Sequence, residues 1–249
     1  MVIICLHFFS FFCVPCTLGI PGVHVMNYSV LDLCCGTMSV SKALRLHHPS
    51  ARIISFDVDS KCGLNIIDSN HEFRLSDVRN IDPAELKREV GNCAFIWASP
   101  PCTQYSIARS YAKTPRDLVG SDSIVRACMN IIECLQPVRW AMENPFTGLL
   151  KGREVVAPWE KYLKKTSYCM FGFPYKKETA IWTNVRVNLP ACSRLIPCDA
   201  SRASGGRSHP SHAQKGFSGS RATPGQNTTS NLHRVPAGLV ALLCTSSSV

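Results

Sequence analysis

Acidic residues are scarce in this chain. Its 249 residues include 17 Asp and Glu against 27 Lys and Arg, a formal charge of +10, which suits association with a polyanion such as nucleic acid or a soluble basic protein. Charged residues of both signs make up only 18% against 45% hydrophobic, with 11 Phe and 4 Trp, which excludes wholesale disorder and collagen-like or coiled-coil repeats. No internal repeat of about 20 to 50 residues is present. Residues 1–25 contain no Lys, Arg, Asp or Glu. A secretory signal would need a positive n-region and an A-x-A-like cleavage site, and both are missing. As a membrane span, Val2 to Ile20 is interrupted by His7 and Pro15. We expect residues 1–25 to be an extension outside the fold, with an anchor or a packed strand as the alternatives, and expect no stable membrane partner and no secretion.

Cysteine, by contrast, is abundant. Fourteen in a chain of this length, two of them adjacent at Cys34 and Cys35 in an apolar strand pattern, point to reduced thiols in a cytoplasmic or nuclear setting. Cys62, Cys93, Cys128 and Cys134 read as small core hydrophobes.

From Tyr28 the pattern is strand, glycine turn, helix, strand. Strands are expected at Ser29–Leu33, Arg52–Phe56 and Cys93–Ala98, with a short element ending at Ser76-Asp77 and another strand from Trp140 into Glu143-Asn144-Pro145. Helices are expected over Ser39–Leu46, Pro83–Val90 and Asp122–Leu135, the last stopped by Pro137. Such alternation means a mostly parallel α/β sheet, with ligands beyond the carboxyl ends of its strands. Residues 191–230 are loop-rich and basic, and Leu232–Cys244 returns to an apolar helical pattern.

Three clusters fall at those strand ends. In Asp32-Leu-Cys-Cys-Gly36 a glycine stands where the backbone would pass close to a nucleoside-bearing ligand, although only one glycine of G-x-G-x-x-G is present. Asp57, about 20 residues on, suits ribose hydroxyls, and Asp59 is its neighbour; a turn glycine with capping aspartates is the plain alternative. In Ser99-Pro100-Pro101-Cys102, two prolines fix φ directly after a strand and hold the thiol in one orientation, as suits a nucleophile or, more plainly, a rigid turn with a buried thiol. Glu143-Asn144-Pro145 supplies a carboxyl group one helix away in sequence, which alone would more plainly be a surface cap and takes its meaning from Cys102. Thiolate addition to cytosine C6 puts negative charge into the ring, and a carboxyl group at N3 stabilises it.

The ordered set DLCCG (32–36), FDVD (56–59), SDV (76–78), SPPCTQYS (99–106) and ENP (143–145) resembles the DNA cytosine-5 methyltransferases, and in WASPPCTQYS, MENPFTGLLKGR and TAIWTN their compact phage and viral branch. The resemblance implies a Rossmann-like methyltransferase fold over residues 26–190, S-adenosylmethionine as cofactor and DNA as substrate. It implies Cys102 as nucleophile and Glu143 as its partner, with Pro100, Pro101, Ser106, Asn144 and Pro145 shaping the substrate loops. Cofactor contacts would come from Asp32, Gly36, Asp57 and Asp77, the last to adenine. The target base must leave the duplex to reach such a pocket.

The sequence departs from this pattern in three places. Met38 stands where the cofactor loop usually has a second glycine. No arginine-bearing strand follows the Glu-Asn element; Thr179, Trp182 and Arg186 occupy that region. A short loop-rich insertion, residues 191–230, replaces the large target-recognition domain, before a closing helix and tail in 231–249. The insertion carries Cys192, Cys198, His209 and His212, which read either as a loose zinc knuckle or, more plainly, as part of a solvated loop. Arg194, Arg202, Arg207, Lys215 and Arg221 would suit a phosphate backbone or simply keep a loop soluble. We expect a monomeric cytosine-5 enzyme acting on DNA. The rivals are an RNA cytosine-5 enzyme and a catalytically silent nucleic-acid-binding protein of the same fold.

Overall fold

The computed structural model describes residues 28–203, Gly205, His209 and 233–248. Residues 1–25, and with them the expectation for that extension, lie outside the described residues, as do Arg207, His212, Lys215 and Arg221. Strands β1 (Ser29–Leu33), β2 (Arg52–Asp57), β3 (His71–Leu75), β4 (Cys93–Ala98), β5 (Arg139–Pro145), β6 (Leu163–Ser167) and β7 (Glu178–Thr183) form one sheet in the order β3-β2-β1-β4-β5-β7-β6. The first five run parallel, and β7 is antiparallel to both of its neighbours.

Helices α1 (Ser39–His47) and α5 (Ala237–Thr245) cover one face, while α2 (Pro83–Val90) and α3 (Leu118–Leu135) cover the other. Alternation along the strands explains the two layers. Leu31, Leu33, Ile96 and Ala98 point into the α2–α3 layer, whereas Val30, Phe95 and Trp97 point into the α1–α5 layer. A strand covered on both faces needs apolar residues at every position, which is why SVLDL and CAFIWA read as continuous runs. Asp32 is the charged exception, fully buried in β1. The result is the expected Rossmann-like α/β sandwich.

Two helix starts differ from expectation. Helix α5 begins at Ala237, after Pro236, rather than at Leu232. Helix α3 starts at Leu118 rather than Asp122, because Asp117 caps it by accepting the Gly120 N–H at 2.7 Å. Asp122 lies inside the helix, where it accepts the Tyr105 hydroxyl at 2.8 Å and pairs with Arg153 at 2.6 Å. The insertion also contains a short helix, α4 (Asp199–Ala203). Among the described residues no helix is long and apolar enough to cross a membrane.

Candidate active site

The loop after β1 is built from residues in left-handed backbone. Cys34, Gly36 and Met38 have φ of 57°, 48° and 53°, a conformation that costs a non-glycine residue roughly 1 kcal/mol or more. Nothing lies within 4 Å of where a Gly36 side chain would begin, so this backbone faces open space. Below it, Asp32 accepts the Ser41 N–H at 3.1 Å and the Ser41 hydroxyl at 2.6 Å through Oδ2, while its Oδ1 is buried without a partner. Burial pushes the Asp32 carboxyl up to about 7, against the pull of the Ser41 bonds. Thr37 Oγ1 is likewise buried and unpartnered. Asp57, at the end of β2, fixes the loop by accepting the N–H groups of Gly36 and Asp59, both at 2.9 Å. Each of its oxygens keeps a lone pair for a further donor.

The loop after β4 leaves the adjacent strand. Ser99 N–H bonds the Leu33 carbonyl at 2.9 Å, which anchors the loop to β1. Asn144, buried at the end of β5, donates from Nδ2 to the Pro100 carbonyl at 2.9 Å. The two prolines and this bond hold Cys102 half-buried. Its thiol is pushed above the ordinary value, first by burial and then by Glu143, with Lys177 acting in the opposite sense. Parallel pairing of β4 with β5 sets Ala98 opposite Met142, so Cys102 and Glu143 emerge at the same edge. Ser106 precedes a single 3-10 turn, Ile107–Tyr111, rather than a helix, and its carbonyl accepts from Arg116 at 3.0 Å.

Glu143 is buried and has two partners that sequence reasoning missed. The Tyr168 hydroxyl lies 3.0 Å from Glu143 Oε1 and Lys177 Nζ lies 3.4 Å from the same oxygen. Burial raises the Tyr168 hydroxyl well above its usual range, which keeps it a donor. Lys177 sits 4.5 Å above the Tyr168 ring. In the region where the sequence shows no arginine-bearing strand, the cation beside Glu143 is Lys177, one residue before β7. Thr179 and Trp182 are buried in the sheet, and Arg186 lies past the other end of β7, its N–H bonded to the Ser247 carbonyl at 2.8 Å. The Lys176-Lys177 pair ahead of the TAIWT run was the available signal.

A cavity of about 220 Å³ joins these groups: Gly36, Thr37 and Asp57 line one side, and Cys102, Glu143 and Lys177 the other. His233 lines it as well, with its pKa lowered first by burial and then by Lys177. A second cavity of about 150 Å³ shares Cys34, Asp57 and Pro101 with the first and adds Val58, Asp77, Val78 and Ile124. Asp77 stands at its wall, bonded to Arg79 at 2.6 Å, which holds its carboxyl below the usual range. Met38 lines neither cavity; its side chain packs inward with Cys35 and Cys62.

Residues 28–171, more than half of the chain, match the family model for C-5 cytosine-specific DNA methylases. The chain belongs to that family. Membership puts this methylase in the DNA (cytosine-5)-methyltransferase class of enzymes, with DNA as the class of substrate. It is similar to a probable DNA (cytosine-5)-methyltransferase of Frog virus 3 (isolate Goorha), 26% identical over 228 residues that span 86% of this chain and 97% of the viral protein. Among solved structures it is similar to a putative DNA modification methyltransferase from an E. coli prophage, with a TM-score of 0.48, 12% identity, and 68% of this chain aligned. The aligned part spans about half (53%) of that structure. A weaker likeness, TM-score 0.29 and 19% identity over 47% of this chain and 36% of the other, links it to the plantazolicin methyltransferase BamL solved with SAH.

Of the possible metal ligands in the insertion, Cys192 and Cys198 are buried, not part of a solvated loop, and His209 lies against both. Cys169, which sequence reasoning left out, completes the group, and His212 lies outside the described residues.

Proposed function

We propose that this methylase transfers a methyl group from S-adenosylmethionine to C5 of cytosine in DNA through a covalent adduct on Cys102. The observation that carries the reading is the shared cavity: the Gly36 loop and Asp57 line it together with Cys102, Glu143 and Lys177. The residues suit the cofactor. Thr37 lines the cavity with a buried, unpartnered oxygen, and Asp32 lies fully buried beneath the loop and off the cavity wall, tied to Ser41. Asp57 keeps lone pairs for ribose hydroxyls, and the slot between Val58, Val78 and Ile124 with Asp77 at its wall suits an adenine. S-adenosylmethionine, when bound, supplies an electrophilic methyl group.

The chain's own residues do the rest. Cys102 adds as thiolate to C6 of the flipped cytosine, forming the S–C6 bond and moving the ring's electron pair toward C5. Glu143 hydrogen-bonds at N3 and the amine, and Lys177 beside it offsets the developing charge. Tyr168 fixes the Glu143 carboxyl by holding one of its oxygens. Once C5 carries its methyl group, loss of the C5 proton to a base returns an electron pair to the ring and expels the Cys102 sulfur. His233, kept neutral by burial in the same cavity, is positioned to accept that proton. Met38 does not obstruct the cofactor side, because it packs away from the cavity.

The test is to incubate the purified chain with S-adenosylmethionine and with matched DNA or RNA duplexes, then score 5-methylcytosine by nucleoside mass spectrometry. The reading predicts product in DNA. Product in RNA alone would transfer the assignment to RNA, and cofactor binding without product in either polymer would mark a silent binding protein.

A further inference from the structure

Outside the catalytic cavity, the described residues contain one compact set of four soft or borderline ligands. Cys169, Cys192, Cys198 and His209 place their sulfur and nitrogen atoms all within 4.8 Å of one another. His209 Nε2 is 3.3 Å from Cys198 Sγ and 3.6 Å from Cys192 Sγ. A tetrahedral zinc ion with Zn–S near 2.3 Å and Zn–N near 2.0 Å has ligand–ligand edges of about 3.5 to 3.8 Å, so the four atoms already stand close to the corners of such a site. All three cysteines are buried and free. An odd number of thiols cannot be consumed by disulfides within the group.

We propose that these four residues bind one structural Zn²⁺. The surroundings suit three thiolates. Ser201 N–H points at Cys198 Sγ from 3.3 Å, as a backbone donor does when it disperses thiolate charge. Cys192 N–H bonds Ser167 Oγ at 3.2 Å, which ties its loop to the end of β6. The other group, Cys35, Asp57 and Cys62, is one ligand short, and each Asp57 oxygen already accepts one backbone N–H, from Gly36 and from Asp59.

The ion has a defined structural task. Cys169 follows Tyr168, whose hydroxyl holds Glu143, while Cys192, Cys198 and His209 belong to the insertion. Zinc therefore pins the start of the insertion to the turn that supports the catalytic acid, and the chain re-enters at His233 in the wall of the catalytic cavity. The site stands on its ligands and is independent of the methyl-transfer reading.

The full chain, expressed without a histidine tag and reconstituted with zinc under reducing conditions, should carry one Zn²⁺ per chain by elemental mass spectrometry. Cys192→Ser and Cys169→Ser should lose it, and Cys128→Ala, a core thiol elsewhere, should keep it. Should the serine variants prove insoluble, the Co²⁺-substituted wild-type chain decides the matter, since tetrahedral thiolate ligation gives intense visible bands. A soluble wild-type chain without stoichiometric metal, stoichiometric iron in place of zinc, or a Cys192–Cys198 disulfide in the reduced preparation would each overturn the assignment.

Discussion

Lys177→Met removes the cation beside Cys102 and Glu143 while keeping the length of the side chain. Lys177 Nζ stands 3.4 Å from Glu143 Oε1 and both side chains are largely buried, so at an effective dielectric near 20 their gross attraction is about 5 kcal/mol. Desolvation offsets most of that, but the same positive charge also holds down the Cys102 thiol, which burial and Glu143 push up. Losing the cation should raise the Cys102 thiol further, and each pH unit of rise leaves tenfold less thiolate at neutral pH. The assay is alkylation of Cys102 by iodoacetamide, followed on its own peptide by mass spectrometry from neutral to alkaline pH. The variant should show a midpoint moved upward and alkylation near neutrality slowed in proportion, tenfold for each pH unit of that move, and its methyl-transfer rate should fall at least as far. Lys177→Arg should recover most of both. Alkylation with the wild-type midpoint, together with wild-type methylation, would refute the role given to Lys177.

Two other residues give separate tests. Asp32 has a folded-state carboxyl raised to about 7 by burial, above its unfolded value, so its stabilising effect is full in acid and is lost as pH rises through about 7. Asp32→Asn should flatten the fall in thermal stability between about pH 4 and 7 and be worth up to about 4 kcal/mol at the upper end; calorimetric melts at the two pH values check this, and parallel curves for the two proteins would contradict it. Asn144→Ala removes the buried donor to the Pro100 carbonyl, so it should cost ~1–3 kcal/mol in denaturant unfolding and reduce kcat more than KM; a change confined to KM would place Asn144 outside the nucleophile loop's support.

The first half of the site was legible because its signals are local. Pro100-Pro101-Cys102 and Glu143-Asn144-Pro145 each sit immediately after an apolar strand, and a parallel sheet brings such ends to one edge regardless of loop detail. The second half is carried by the β6–β7 hairpin, whose order in the sheet is not sequential. Leu163–Ser167 (LKKTS) gives no apolar run, and β7 enters between β5 and β6. Lys177 and Tyr168 meet Glu143 only through that crossing. The missing Cys169 has the same cause: it is 23 residues before Cys192 in the chain, on the turn after β6, so spacing alone could not join it to the insertion.

The central claim is that the Cys102 sulfur bonds to a cytosine ring. Incubation with S-adenosylmethionine and duplex DNA containing 5-fluorocytosine tests it most directly, because fluorine at C5 cannot leave as a proton would and the adduct persists. The predicted result is a denaturation-stable protein–DNA species, mapped by mass spectrometry to the Cys102 peptide and absent in Cys102→Ser. A chain that methylates DNA without ever forming that species, or whose Cys102→Ser variant still forms it, would contradict the account.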